Sequence, residues 1–216
     1  MNNENKQKVY LLGEQSGVVT SFKLNKTTVV TEFFTISFTG GESIGLFLSK
    51  LDAEICRQYL NTQEHEGKKN KYELITCNDS RVEILRDFEK LPFRLITGFV
   101  LDAHSKKLVI QGGCYSVMHF GLSDDESKWI LWNENRPEQN TLSLLRSLFL
   151  HVGEGGYIEE IEMLNDMDQH SLENLAKEAV IQNGLLPKGI ASKPAVFSPS
   201  RKRWIELNLG GPYGSR

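Results

Sequence analysis

The segment FRLITGFVL (residues 93–101), followed by DAHSK (residues 102–106) and KLVIQ (residues 107–111), is the clearest structural signal in the chain. Both apolar runs contain many β-branched or aromatic residues, which fit a pleated sheet. The short polar segment between them is typical of a turn, and Gly112 and Gly113 follow the second run. These residues predict a β-hairpin.

Strand signals continue on both sides of this hairpin. Residues 9–12, 18–24, 27–38 and 44–48 alternate with turn signals at residues 14–17, at residues 25–26 and at Gly40 and Gly41. They predict an antiparallel meander. Residues 114–120 and 129–132 predict two further strands, and residues 194–197 and 204–209 predict a closing hairpin.

Helical periodicity occupies the remaining segments. Apolar residues recur at spacings of three and four over residues 51–60, 80–91, 137–152 and 169–183. Ser49 is a suitable N-cap for the first helix, and Gly184 suits the end of the last one. Residues 157–164 fit either a helix or a strand. The pattern therefore predicts about four helices.

The order of these signals predicts an α+β fold with a mostly antiparallel sheet, a strand-rich N-terminal half and a helix-rich C-terminal half. The length of 216 residues suits a single domain over residues 1–216. A possible subdivision lies near residues 122–127, between a strand-rich part (1–121) and a helical part with a C-terminal hairpin (128–216). The strand 44–48 running into Ser49 and a helix resembles small bacterial α+β accessory proteins, and no functional residue follows from that short likeness.

Composition indicates an ordinary globular protein, with 39% apolar and 25% charged residues. The polar N-terminus lacks a signal-peptide pattern. The longest apolar run, residues 142–152, falls short of the ~20 residues that a membrane span needs. Three scattered cysteines without a CxxC pair fit a reducing compartment. We therefore expect a cytoplasmic protein without a cofactor or a membrane partner.

The net charge of −3 conceals a strong asymmetry along the chain. Residues 1–70 are neutral and residues 71–127 carry −2, whereas residues 128–185 carry −6 and residues 186–216 carry +5. Either the basic C-terminal segment folds back over the acidic one, or one of them meets a partner.

Cys114 is a candidate nucleophile because two glycines precede it and His119 is near enough in sequence to be considered as its base. This pair would give a cysteine-dependent hydrolase or transferase. Residues 114 and 119 point to opposite faces if they share one strand, however, and a buried structural cysteine is the simpler interpretation.

Metal and nucleotide sites have weaker support. Asp102 with His104, or His151 with Glu154, would supply two metal ligands, and no third ligand is indicated. A phosphate-binding loop requires glycines between the end of a strand and the start of a helix, and none of the glycine clusters is predicted to lie there. We therefore expect no metal site.

The basic segment contains Arg201, Lys202, Arg203 and Trp204 at the turn of the closing hairpin. Three cations beside an aromatic ring could grip a nucleic-acid backbone and stack on a base. A nucleic-acid-binding domain is usually basic over a whole face, whereas this chain is acidic overall. Nucleic-acid binding is therefore an alternative and not the leading hypothesis.

The leading hypothesis is a non-enzymatic protein that binds another protein with a basic surface. An acidic patch can steer such a partner and block its active site, as an immunity protein, antitoxin or adaptor would. The candidate contact residues are Glu154, Glu159, Glu160, Glu162, Asp166 and Asp168.

Overall fold

The computed structural model describes residues 8–21, 26–38, 41–65, 68–69, 71–76, 79, 82, 85, 93–111, 113–132, 137–187 and 192–208. The helices are α1 Lys50–Leu60, α2 Asp124–Trp132, α3 Gln139–His151, α4 Tyr157–Glu162 and α5 Gln169–Asn183, with a 3₁₀ helix at Met163–Asp166. The strands are β1 Leu11–Ser21, β2 Lys26–Phe33, β3 Thr35–Phe38, β4 Gly41–Phe47, β5 Glu64–His65, β6 Lys68–Lys69, β7 Tyr72–Ile75, β8 Phe93–Asp102, β9 Leu108–Gln111, β10 Cys114–Tyr115, β11 Val117–Gly121, β12 Leu185–Pro187, β13 Ser192–Ser198 and β14 Arg203–Glu206.

The predicted central hairpin is confirmed as β8 and β9, and β8 organises the main sheet. It pairs with β4 over its first half and with β13 over its second half, while β11 and β9 lie along its other edge. Most of β8 is buried, because a strand in the middle of a covered sheet is apolar on both faces. β13 comes from beyond residues 122–127, so this sheet contains strands from both sides of that segment.

The α+β class is confirmed, and two finer expectations are wrong. The main sheet is mixed, because β4 pairs with β8 and β12 with β9 in parallel. Parallel neighbours need a long connection, and α1 lies between β4 and β8. The described residues also contain five α-helices instead of about four. Two of them were not among the four expected: α2, where residues 129–132 were expected to form a strand, and α4, where the pattern fitted either a helix or a strand.

A capping box explains why α2 is a helix. The Ser123 amide donates to Glu126 Oε2 at 3.0 Å, and the Glu126 amide donates to Ser123 Oγ at 3.2 Å. This arrangement satisfies amide groups that the first helical turn leaves unpaired. The predicted turn at residues 14–17 is also absent: β1 runs through it with an irregularity between Gln15 and Gly17.

Helices α1 and α5 pack against each other and against one face of the main sheet. Phe99 of β8 makes edge-to-face ring contacts with Tyr115 and with Trp204. Tyr115 in turn contacts Tyr59 of α1, with ring centroids 4.5 Å apart. These aromatic contacts join the sheet to α1 and help to fix the position of α1 on the sheet.

A second sheet, with strand order β2–β1–β7, lies beside this core. It meets the main sheet through the backbone bridge between Tyr10 and Phe47. Helix α1 begins where predicted, with Ser49 as its N-cap and the Asp52 amide donating to Ser49 Oγ at 3.4 Å. The helix expected over residues 80–91 lies largely outside the described residues.

Candidate functional site

The acidic segment, residues 154–168, lines one side of an open cleft of about 360 Å³. The cleft is lined by residues 153–157, Glu159, Glu160, Met163, Ser200 and Arg201. It lies between the turn that precedes α4 and the turn that joins β13 to β14. Three carboxylates and one guanidinium line it, which gives it an excess of negative charge. We call it the acidic cleft.

Two carboxylates of the cleft hold the turn between β13 and β14 in place. This turn carries Arg201 and Lys202, and we call it the basic turn. Glu154 pairs with Arg201 at 3.0 Å. Glu160 accepts hydrogen bonds from the Ser198 hydroxyl at 2.8 Å and the Ser200 amide at 2.6 Å. The C-terminal hairpin therefore does fold back over the acidic segment, and Glu154 and Glu160 are engaged within the protein.

Glu159 is the most available carboxylate of the cleft. Its side chain is 56% exposed, although Arg146 of α3 donates to it at 3.1 Å. The same guanidinium contacts Glu162 at 3.3 Å, and Glu162 is the more buried of the two acids. Of the other predicted contact residues, Asp166 is exposed, and Asp168 caps α5 by accepting from the Ser171 amide at 2.9 Å.

Exposed apolar side chains adjoin the acidic cleft. Met163 lines it and is 69% exposed. Leu150 is 71% exposed and lies against Gly155, which also lines the cleft. One helical turn separates Leu150 from Arg146 on α3, and the same spacing separates Met163 from Glu159. The ion pair between Arg146 and Glu159 therefore joins two helix faces that each carry an exposed apolar residue.

Cys114 and His119 are not brought together. Cys114 begins β10, and its thiol lies close enough to the Cys56 thiol on α1 for each to shift the pKa of the other. His119 lies on β11, where its Nδ1 is 3.1 Å from Arg94 Nη1. Burial and this guanidinium lower the pKa of His119. No hydrogen bond or ion pair between described residues links the predicted nucleophile to its predicted base.

The basic turn presents cations without an available aromatic ring. Trp204 packs edge-to-face on Phe99 and Phe197, and its indole N–H donates to the Ala179 carbonyl of α5 at 2.9 Å. Lys202 lies 3.4 Å from Glu178, and Arg203 is exposed. These contacts engage the Trp204 ring within the fold, so it does not offer the stacking surface that nucleic-acid binding would use.

Sequence reasoning missed a buried carboxyl group on α1. Asp52 is 1% exposed, and both of its carboxyl oxygens lack a hydrogen-bond partner among the described atoms. Burial raises its pKa to about 7. Its charge acts on Cys56 and on Tyr157 of α4, whose buried hydroxyl also lacks a partner within the described part of the chain. Acidic residues are common in a first helical turn, so the sequence carries no signal that Asp52 is buried.

Asp102 has a structural task in the turn between β8 and β9. Its Oδ1 accepts from the His104 amide at 3.1 Å and from the Ser105 amide at 2.8 Å. Carboxylates that bond to the backbone just ahead commonly close turns. Within the described ranges, no group of three or more His, Cys, Asp or Glu side chains could hold a metal ion. No helix in the same ranges has both the length and the apolar character to cross a membrane.

The chain matches no protein-family model, no curated protein and no solved structure in the comparisons.

Proposed function

We propose that this protein binds another protein through the acidic cleft and the apolar side chains beside it. The occupant is a Lys or Arg side chain of the partner, flanked by an apolar residue. The observation that carries the proposal is the cleft itself, where three carboxylates face one guanidinium next to Met163. A cation entering it would add the positive charge that the cleft lacks.

The apolar residues supply the second part of the contact. Leu150 and Met163 are among the few large apolar side chains that the described residues expose. Interfaces typically combine apolar side chains that exclude water with polar groups at the rim. A partner covering Leu150 and Met163 would remove water from the neighbouring Glu159, which strengthens its attraction to a cation.

The carboxylates of the acidic segment have different roles in this proposal. Glu159 is the principal contact residue, because it is the most exposed carboxylate in the cleft. Glu160 positions the β13–β14 turn, and Glu162 holds Arg146. The proposed contact surface is therefore the acidic cleft and not the whole acidic segment. We propose that the protein acts as a cytoplasmic adaptor or inhibitor.

A random peptide display library selected on the folded protein tests this function. We expect enrichment of peptides in which Lys or Arg adjoins an aliphatic or aromatic residue. The Glu159→Lys and Met163→Glu variants should each weaken the selected peptides by about tenfold or more, since like charges or a lost apolar contact cost a few kcal/mol. The affinity of these peptides for the unmodified protein should fall as salt is added.

Asp125→Lys is the matched control. Asp125 is exposed on α2 and does not line the cleft, and its reversal changes the net charge as much as Glu159→Lys does. It should leave peptide binding unchanged. The proposal fails if no peptide class is enriched, or if Glu159→Lys and Asp125→Lys weaken binding equally.

A further inference from the structure

Two cysteines that are distant in sequence lie on α1 and β10, which pack against each other. Cys56 lies on α1 and is wholly buried, whereas Cys114 begins β10 and is partly exposed. Helix α1 packs against β10, and each thiol lies close enough to the other to shift its pKa. The ring contact between Tyr59 and Tyr115, which are close neighbours of these cysteines in sequence, fixes the two elements against each other. The packing of α1 on β10 therefore places the two thiols near each other.

The environments of the two thiols differ in the way that sequential thiol chemistry requires. The neighbouring Cys56 thiol and the Tyr115 amide lower the pKa of Cys114, because both groups stabilise a thiolate. Burial raises the pKa of Cys56, and the neighbouring Cys114 thiol adds to that effect. The partly exposed thiol is thus the better nucleophile, and the buried one is protected from reagents in solution.

A buried base is close to Cys56. Asp52 precedes it by one turn of α1, a spacing that places two side chains next to each other. Both carboxyl oxygens lack a hydrogen-bond partner among the described atoms. An unpaired buried carboxyl group is costly, so its presence beside a thiol calls for a reason. Accepting the proton of Cys56 would give it one.

We propose that Cys56 and Cys114 form a redox-active dithiol that low-molecular-weight disulfides convert to an intramolecular disulfide. The Cys114 thiolate attacks one sulfur of the small disulfide, which forms a mixed disulfide and releases one small thiolate. Asp52 takes the proton from the Cys56 thiol, and the Cys56 sulfur attacks Cys114 Sγ. The second small thiolate leaves. The protein loses two hydrogens, and the small disulfide is reduced to two thiols.

Oxidation in glutathione buffers of stepped composition tests the dithiol. The protein should carry Cys77→Ser, so that Cys56 and Cys114 are its only thiols; Cys77 lies outside the described residues. After acid quenching, denaturation and alkylation, mass spectrometry should show both thiols disappearing together. The product is expected to have lost two hydrogens and to carry no glutathione.

Two single variants in the Cys77→Ser background separate the steps. Cys56→Ala should stop at a glutathione mixed disulfide on Cys114, because no second thiol remains to displace it. In Cys114→Ser, Cys56 should stay a free thiol while the protein is folded. It should react with glutathione disulfide once the protein is unfolded. Circular dichroism before oxidation checks that each variant is folded.

Asp52→Asn tests the role of the carboxyl group. We expect the mixed disulfide to accumulate and ring closure to slow by roughly 10²-fold, which is the usual size of general-base assistance. An unchanged closing rate overturns the role of Asp52. The dithiol itself is overturned if the Cys77→Ser protein keeps both thiols at every glutathione ratio, or if it stops at the mixed disulfide.

Discussion

Replacing Asp52 with Asn should stabilise the protein, and the gain should grow with pH. The side chain is wholly buried in α1, and burial raises its pKa from 3.8 to about 7. The folded state therefore keeps a proton on Asp52 over a range of pH in which the unfolded chain has lost it. Asn has nearly the same shape as the protonated acid and carries no charge at any pH.

The size of the effect follows from proton linkage. Below pH 3.8 both states hold the proton, and the carboxyl group carries no ionisation cost. Between pH 3.8 and pH 7 unfolding releases a proton, so the free energy of unfolding falls by about 1.4 kcal/mol per pH unit. Above pH 7 both states are ionised and the loss levels off near about 4 kcal/mol. From pH 5 to pH 8 the variant's advantage should grow by about 2.5 kcal/mol.

Urea unfolding of the two proteins at several pH values between 5 and 8 measures this difference. Both should be kept reduced, so that the thiols beside Asp52 do not change state. The comparison removes the contributions of all other titrating groups, because they are common to both proteins. A difference in unfolding free energy that stays constant across this range would refute the assignment of a raised pKa to Asp52.

Three further substitutions test the packing around the sheet and α1, each by urea unfolding. Arg57→Ala should cost about 3–5 kcal/mol, because it leaves the buried Glu54 carboxylate without the guanidinium that contacts it at 2.7 Å. Gly98→Ala should cost about 1–3 kcal/mol, since its Cβ would lie 2.6 Å from the Ala195 carbonyl oxygen of β13. Trp204→Phe should cost about 1 kcal/mol for the lost hydrogen bond to α5, and the remaining ring should keep the fold intact.

The elements that sequence predicts well are those with local causes. The β8–β9 hairpin follows from its apolar runs and its turn, and α1 follows from Ser49 and the helical spacing after it. Helix α2 also had a local cause, the pairing of Ser123 with Glu126, and the aromatic residues 129 and 132 concealed it. Attention to the capping box would have corrected that prediction.

The elements that sequence predicts poorly depend on distant partners. The β1 strand passes through a turn-like segment because β2 pairs with it on both sides of a bulge at Ser16. The parallel pairing of β4 with β8 depends on how the long connection between them, which includes α1, folds back. Cys56 and Cys114 lie on a helix and a strand, so neither periodicity nor spacing indicates that their thiols meet. Local patterns describe segments, and the thiol pair is a property of how segments pack.

Four carboxylates show why counting charges along the sequence does not reveal what each charge does. Glu54 is buried and paired with Arg57, and Asp52 is buried without a hydrogen-bond partner among the described atoms. Glu154 is paired with a cation that arrives from the distant C-terminal hairpin, whereas Glu159 stays largely exposed. Part of the near-cancellation of charge in this sequence is thus a set of internal ion pairs. Within the acidic cleft, Glu159 is the carboxylate most available to a partner, because its ion pair with Arg146 leaves it 56% exposed.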